Sequence, residues 1–94
     1  MDLKAWEIKG IGRGEIVNIQ RELDEELASF DGAPKIQGQK ERHPYLRLKF
    51  EDGTYGNMDI YWLEDHYVGK EYYTSPKLVY ITLCSATEDE DPFK

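Results

Sequence analysis

Residues 45–62, YLRLKFEDGTYGNMDIYW, constrain the fold of this chain more than any other stretch. Leu46, Leu48 and Phe50 alternate with Tyr45, Arg47, Lys49 and Glu51, the period-2 pattern of a half-buried strand. Thr54, Gly56, Met58, Ile60 and Trp62 alternate likewise with Tyr55, Asn57, Asp59 and Tyr61. The connection Glu51-Asp52-Gly53 suits a three-residue hairpin loop, a type I turn closed by glycine in the left-handed region. This loop sets Phe50 against Thr54, Leu48 against Gly56 and Leu46 against Met58, and so collects the apolar side chains on one face. A two-residue turn would set Leu48 against Asn57 and mix the faces, so the hydrophobic pattern selects the register.

Upstream, residues 1–9 alternate loosely around Trp6 and Ile8 and read as a short strand. The glycines at 10, 12 and 14 break it. They do not form a nucleotide loop, because the GK[ST] ending is missing and position 15 is Glu where GxGxxG needs glycine. Residues 15–30 read as the one helix, with Ile16, Ile19, Leu23, Leu27 and Phe30 in a continuous apolar stripe. Asp31-Gly32 stops it before Pro34. Residues 31–44 lack periodicity and read as a long loop. Residues 63–76 have neither period and read as an irregular excursion. Residues 77–84, KLVYITLC, are apolar on both faces and read as a central or doubly covered strand, which makes Cys84 a small buried residue. Residues 86–94 read as a solvated acidic tail.

The expected fold is therefore α+β in order β-α-β-β-β: one domain over residues 1–94, with the amphipathic helix packed on a mainly antiparallel four-stranded sheet. Ninety-four residues support one core of modest size. A lone cysteine and the lack of an 18-residue apolar run or a basic-then-apolar leader point to a cytoplasmic protein.

Catalytic chemistry has little to stand on. HxxxH, HExxH and CxxC are missing, and no serine sits in a nucleophile-elbow sequence. The expectation is a non-enzyme without cofactor or metal; Glu64, Asp65 and His66 mark the one place where an acid–base or metal site would be sought.

Charge and aromatic content say more. The net charge is −7, and the acids fall in blocks. Residues 15–31 hold six acids and one base, residues 51–65 hold five acids and no base, and Glu88, Asp89, Glu90 and Asp91 run consecutively near the end. One basic block, Lys35, Lys40, Arg42, Arg47 and Lys49, separates them, and folding back onto the acidic helix is its simplest structural role. Seven tyrosines exceed what a core of this size needs, and the hairpin register turns Tyr45, Tyr55 and Tyr61 away from it. Global negative charge disfavours direct nucleic-acid or anionic-membrane binding.

The expected function is an inhibitor that docks carboxylates on a basic nucleic-acid-binding surface of another protein. Glu22, Asp24, Glu25, Glu26, Asp52 and Asp59 would stand in for phosphates, with Tyr55 and Tyr61 as anchors. In general character such a chain is similar to the small acidic inhibitors of phages and mobile elements, including DNA-mimicking anti-restriction and anti-CRISPR proteins, and to nuclease immunity proteins. That likeness is one of size and charge. The alternative is a homodimeric adaptor or structural protein that uses the tyrosine-rich sheet face.

Overall fold

A computed structural model describes residues 2–8, 13–60 and 78–92. The described elements are β1 (Asp2–Glu7), α1 (Arg13–Ala28), β2 (Arg42–Phe50), β3 (Tyr55–Met58), β4 (Leu78–Thr87) and a 3₁₀ turn (Glu88–Glu90). The four strands form one antiparallel sheet in the order β1-β4-β2-β3, and the helix lies between β1 and β2 in the chain: an α+β fold. Among the described residues, no helix is long and apolar enough to cross a membrane.

The hairpin has the register its pattern requires, Leu46 opposite Met58 and Leu48 opposite Gly56. Its loop closes with Gly53 N–H donating to Phe50 O and Phe50 N–H donating to Thr54 O, both 3.0 Å. Gly53 has φ 85°, the left-handed geometry that an L side chain adopts only under strain. Asp52 secures the turn by accepting from Thr54 N at 2.9 Å and Thr54 Oγ1 at 2.6 Å.

The helix-facing side of the sheet follows from the pairing. Trp6 sits opposite Ile81, Ile81 opposite Leu48, and Leu83 opposite Leu46, so these side chains share one face. They join Ile19 and Leu23 of α1 with Met58, Ile60 and Leu78 in a single buried cluster, against which Leu27 and Phe50 pack. Leu23, Leu46 and Ile81 are fully buried. Each such side chain contributes roughly 1.5–3 kcal/mol relative to an exposed one.

Strand β4 is central, paired with β1 on one side and β2 on the other. Its parity is interrupted. Lys49 pairs with Tyr80 but Phe50 pairs with Leu78, so the ladder shifts at Val79 and turns Leu78 into the core beside Ile81.

Several boundaries differ from the sequence expectation. Strand β2 begins at Arg42, so His43 and Pro44 belong to a strand and the loop after the helix ends at Glu41. Pairing of Arg42 with Thr87 and of His43 with Ala86 extends β4 past Cys84 by the same amount. The second hairpin arm stops at Met58, where the β2 partner is Leu46, and Ile60 enters the core from outside the strand. Glu88–Asp91 are exposed, as a solvated tail would be, but Glu88–Glu90 wind into a 3₁₀ turn. Gly32 does not end the helix by a left-handed conformation; the helix finishes at Ala28, and Gly32 lets the chain pass close to β2. Its carbonyl accepts from Arg42 N at 2.8 Å, and an added Cβ would lie 2.0 Å from Arg42 O.

Candidate functional site

The seam between β1 and α1 is built from charge as well as apolar packing. Trp6 is buried against the core with its indole N–H donating to Glu22 Oε2 at 3.1 Å. Lys4, two residues earlier on the same face of β1, lies 4.0 Å from Glu22 Oε1 and 3.6 Å from Glu26 Oε1. Its ammonium also sits 5.5 Å from the centre of the Trp6 ring. Glu22 and Glu26 occupy i and i+4 positions, where two like charges repel. Lys4 placed between them converts that repulsion into a shared ion pair. An open groove beside this seam is lined by Trp6, Glu15, Asn18 and Glu22.

The other two helix acids point elsewhere. Asp24 is exposed and accepts from Gln20 Nε2 at 2.9 Å, and Glu25 is exposed. The basic block does not fold back onto these acids. Lys35 pairs with Asp31 at 3.3 Å, Lys40 pairs with Asp89, Arg42 lies 3.5 Å from Glu90, and Arg47 lies 3.5 Å from Asp2. Lys4 pairs with Glu22 and Glu26 of α1.

Arg42 and the tail form a clamp. The Arg42 guanidinium donates to Ser85 Oγ at 2.9 Å and Ser85 O at 2.8 Å. Glu90 accepts from Thr87 Oγ1 at 3.0 Å and Thr87 N at 3.3 Å, and these bonds hold its carboxyl below the usual glutamate value. Asn57 Nδ2 donates to Pro92 O at 2.7 Å, which ties the end of the described chain to β3. A pocket of about 290 Å³ lies between the tail and the β2–β4 ladder, lined by His43, Tyr45, Ala86, Glu88, Asp91 and Pro92.

The sheet face turned away from α1 carries a row across all four strands: Glu7 opposite Tyr80, Tyr80 opposite Lys49, Lys49 opposite Tyr55. The Lys49 ammonium lies 5.8 Å from the Tyr80 ring centre and 5.9 Å from that of Tyr55. Tyr55 is 60% exposed and Tyr80 40%. The neighbouring row contains Ala5, Thr82, Arg47 and Asn57. At the next level Cys84 is fully buried, its thiol donating to Asp2 Oδ1 at 3.3 Å. Burial first, and then the bond to Asp2, pushes that thiol above its ordinary pKa, so it is a poor nucleophile.

The expected site residues thus divide among separate surfaces. Glu22, Asp24, Glu25 and Glu26 are together on α1. Asp52 stands at the hairpin tip, where Thr54 uses its carboxylate to hold the turn and keeps its pKa low. Tyr55 lies on the face opposite the helix, so it cannot anchor the same flat partner surface as the α1 acids. Asp59 is exposed just beyond β3. Tyr61 and the trio Glu64, Asp65 and His66 lie outside the described residues. Among the described residues no group of three or more His, Cys, Asp or Glu could hold a metal ion. No local pattern marks Tyr80, Lys49 and Glu7 as a set, because the strand pairing that aligns them is set by tertiary contacts. No family model, curated protein or solved structure matches this chain.

Proposed function

We propose that this protein is a non-enzymatic inhibitor that presents the carboxylates of α1 to a basic, nucleic-acid-binding surface of another protein. The observation that carries this reading is that Lys35, Lys40, Arg42 and Arg47 pair with Asp31, Asp89, Glu90 and Asp2 rather than with Glu22, Asp24, Glu25 or Glu26. Glu22, Asp24, Glu25 and Glu26 fall within about 6 Å of helix rise, or roughly one charge per 1.5–2 Å. Duplex DNA carries about one per 1.7 Å. A groove that accepts a phosphate backbone meets negative charge spaced on a similar scale along α1, reduced where Lys4 pairs with Glu22 and Glu26, and opposite fields speed the encounter.

The test begins with capture from lysate of the source cell on the immobilised protein, followed by mass spectrometry. The reading requires a nucleic-acid-processing protein that double-stranded DNA displaces. Asp24→Lys with Glu25→Lys should weaken binding at least ten-fold at low salt and flatten its salt dependence. Those two positions are chosen because Glu22 and Glu26 also hold β1. Binding that ignores both salt and the double reversal would end this reading.

A further inference from the structure

We propose that the sheet face turned away from α1 binds a second copy of this chain, through a two-fold axis running along the strands. The row across that face is polar in sequence: an acid on β1 (Glu7), a tyrosine on β4 (Tyr80), a base on β2 (Lys49), a tyrosine on β3 (Tyr55). A two-fold along the strands keeps each residue at its own level and reverses the order of the strands. The acidic β1 end of one copy then lies over the Lys49 and Tyr55 end of the other. When the two sheets overlap fully, Tyr80 stands over the ammonium of Lys49 from the partner copy, and Glu7 stands over the hydroxyl end of Tyr55. Each group meets its complement, and each does so twice by symmetry.

The arrangement also suits the aromatic groups. Tyr55 and Tyr80 are 60% and 40% exposed, with Lys49 held between their rings. Tyrosines are enriched in interface cores, where large apolar area comes with few rotatable bonds and a polar tip. A single-stranded nucleic acid could stack on the same rings, but the net charge of −7 and the acid at one end of the row oppose it. A second copy has both signs in the order required.

Area sets the strength. Four strands spaced about 4.8 Å apart, over three or so residues of about 3.4 Å before the buried Cys84 level, give a footprint of roughly 200 Å² per chain. That is below the size of a standard stable interface, so the dimer belongs to the weak, concentration-dependent class. It would leave both α1 helices pointing outward, and it does not rest on the inhibitor reading, which involves other residues.

Sedimentation equilibrium of the full chain, from about 10 µM to about 1 mM, tests it in the range expected for an interface of this size. The mass should rise from 11.0 kDa towards twice that value. Glu7→Lys, at an exposed edge-strand position, and Lys49→Glu should each weaken dimerisation about ten-fold or more, because position 7 of one copy and position 49 of the other, one strand apart across the axis, then carry like charges. The double exchange Glu7→Lys with Lys49→Glu should return it to within a few-fold of the original, a recovery that mere damage to the fold would not produce. Circular dichroism confirms that each variant is folded. A mass that stays at 11.0 kDa to the highest concentration overturns the proposal. So does a double exchange that restores nothing. Binding of a labelled single-stranded oligonucleotide by a persistently monomeric protein, lost in Lys49→Glu, would reassign the face to nucleic acid.

Discussion

The indole N–H of Trp6 reaches Glu22 Oε2 at 3.1 Å and joins the edge strand to the helix by a hydrogen bond to a charged acceptor. Glu22 is thus both a surface acid and the partner of a buried donor. Its two roles separate by substitution. Glu22→Gln keeps an acceptor for the indole and loses part of the Lys4 ion pair, which costs less than about 1 kcal/mol at this exposure. Glu22→Ala removes the acceptor as well, and a buried N–H without a partner costs about 1–3 kcal/mol. Urea denaturation should rank Ala clearly below Gln. Equal midpoints would mean that water serves the indole as well as Glu22 does.

The two loop glycines after the helix predict opposite kinds of cost. A Cβ at Gly32 would lie 2.0 Å from the backbone oxygen of Arg42, and moving a backbone strand to relieve that contact costs about 1–3 kcal/mol. Gly38 has open space around it but φ 88°, where an alanine bears about 1–2 kcal/mol of local strain. Gly32→Ala should therefore be the more damaging, and it should also disturb the start of β2 in amide exchange. Gly38→Ala should leave exchange at Arg42 unchanged.

Acid should loosen the molecule in a defined window. Asp31, Asp52 and Glu90 all have carboxyls below their ordinary values, held there by hydrogen bonds from Ala33, Thr54 and Thr87 respectively. A group whose folded pKa is depressed stabilises the fold above its unfolded pKa, and that stabilisation is lost as pH falls through the folded value. Urea midpoints should be nearly constant from about pH 7 to pH 5 and decline below the ordinary glutamate value of 4.5. Glu90→Gln should lower the midpoint at neutral pH and reduce the drop on acidification. An unchanged acid slope in that variant would remove Glu90 from the explanation.

Local rules carried the hairpin, the apolar stripe of α1 and the two-sided character of β4. Their signals lie within a few residues: alternation around Leu46 and Leu48, Asp52-Gly53 at the turn, and three- and seven-residue spacing from Ile16 to Leu23. Strand ends were less legible. The pattern through Trp62 continues the second hairpin arm, yet β3 stops at Met58 opposite Leu46 while β2 runs on to Arg42, and Ile60 turns into the core from outside the ladder. His43 and Pro44 looked like loop, and pairing with Ser85 and Ala86 made them strand.

The candidate surfaces divide in the same way. Sequence alone determined that α1 bears a cluster of acids, that the hairpin sorts tyrosines away from the core, and that Cys84 is a packed thiol. These follow from composition and from the period of a helix or strand. Only the tertiary structure decided which charges neutralise one another. Lys4 reaches Glu22 and Glu26 across 18 and 22 positions, and Lys40 and Arg42 reach Asp89 and Glu90 across just over half the chain. It likewise decided that Glu7, Tyr80, Lys49 and Tyr55 stand in one row. The register between strands distant in the chain depends on which apolar side chains bury together, and no local pattern encodes that choice.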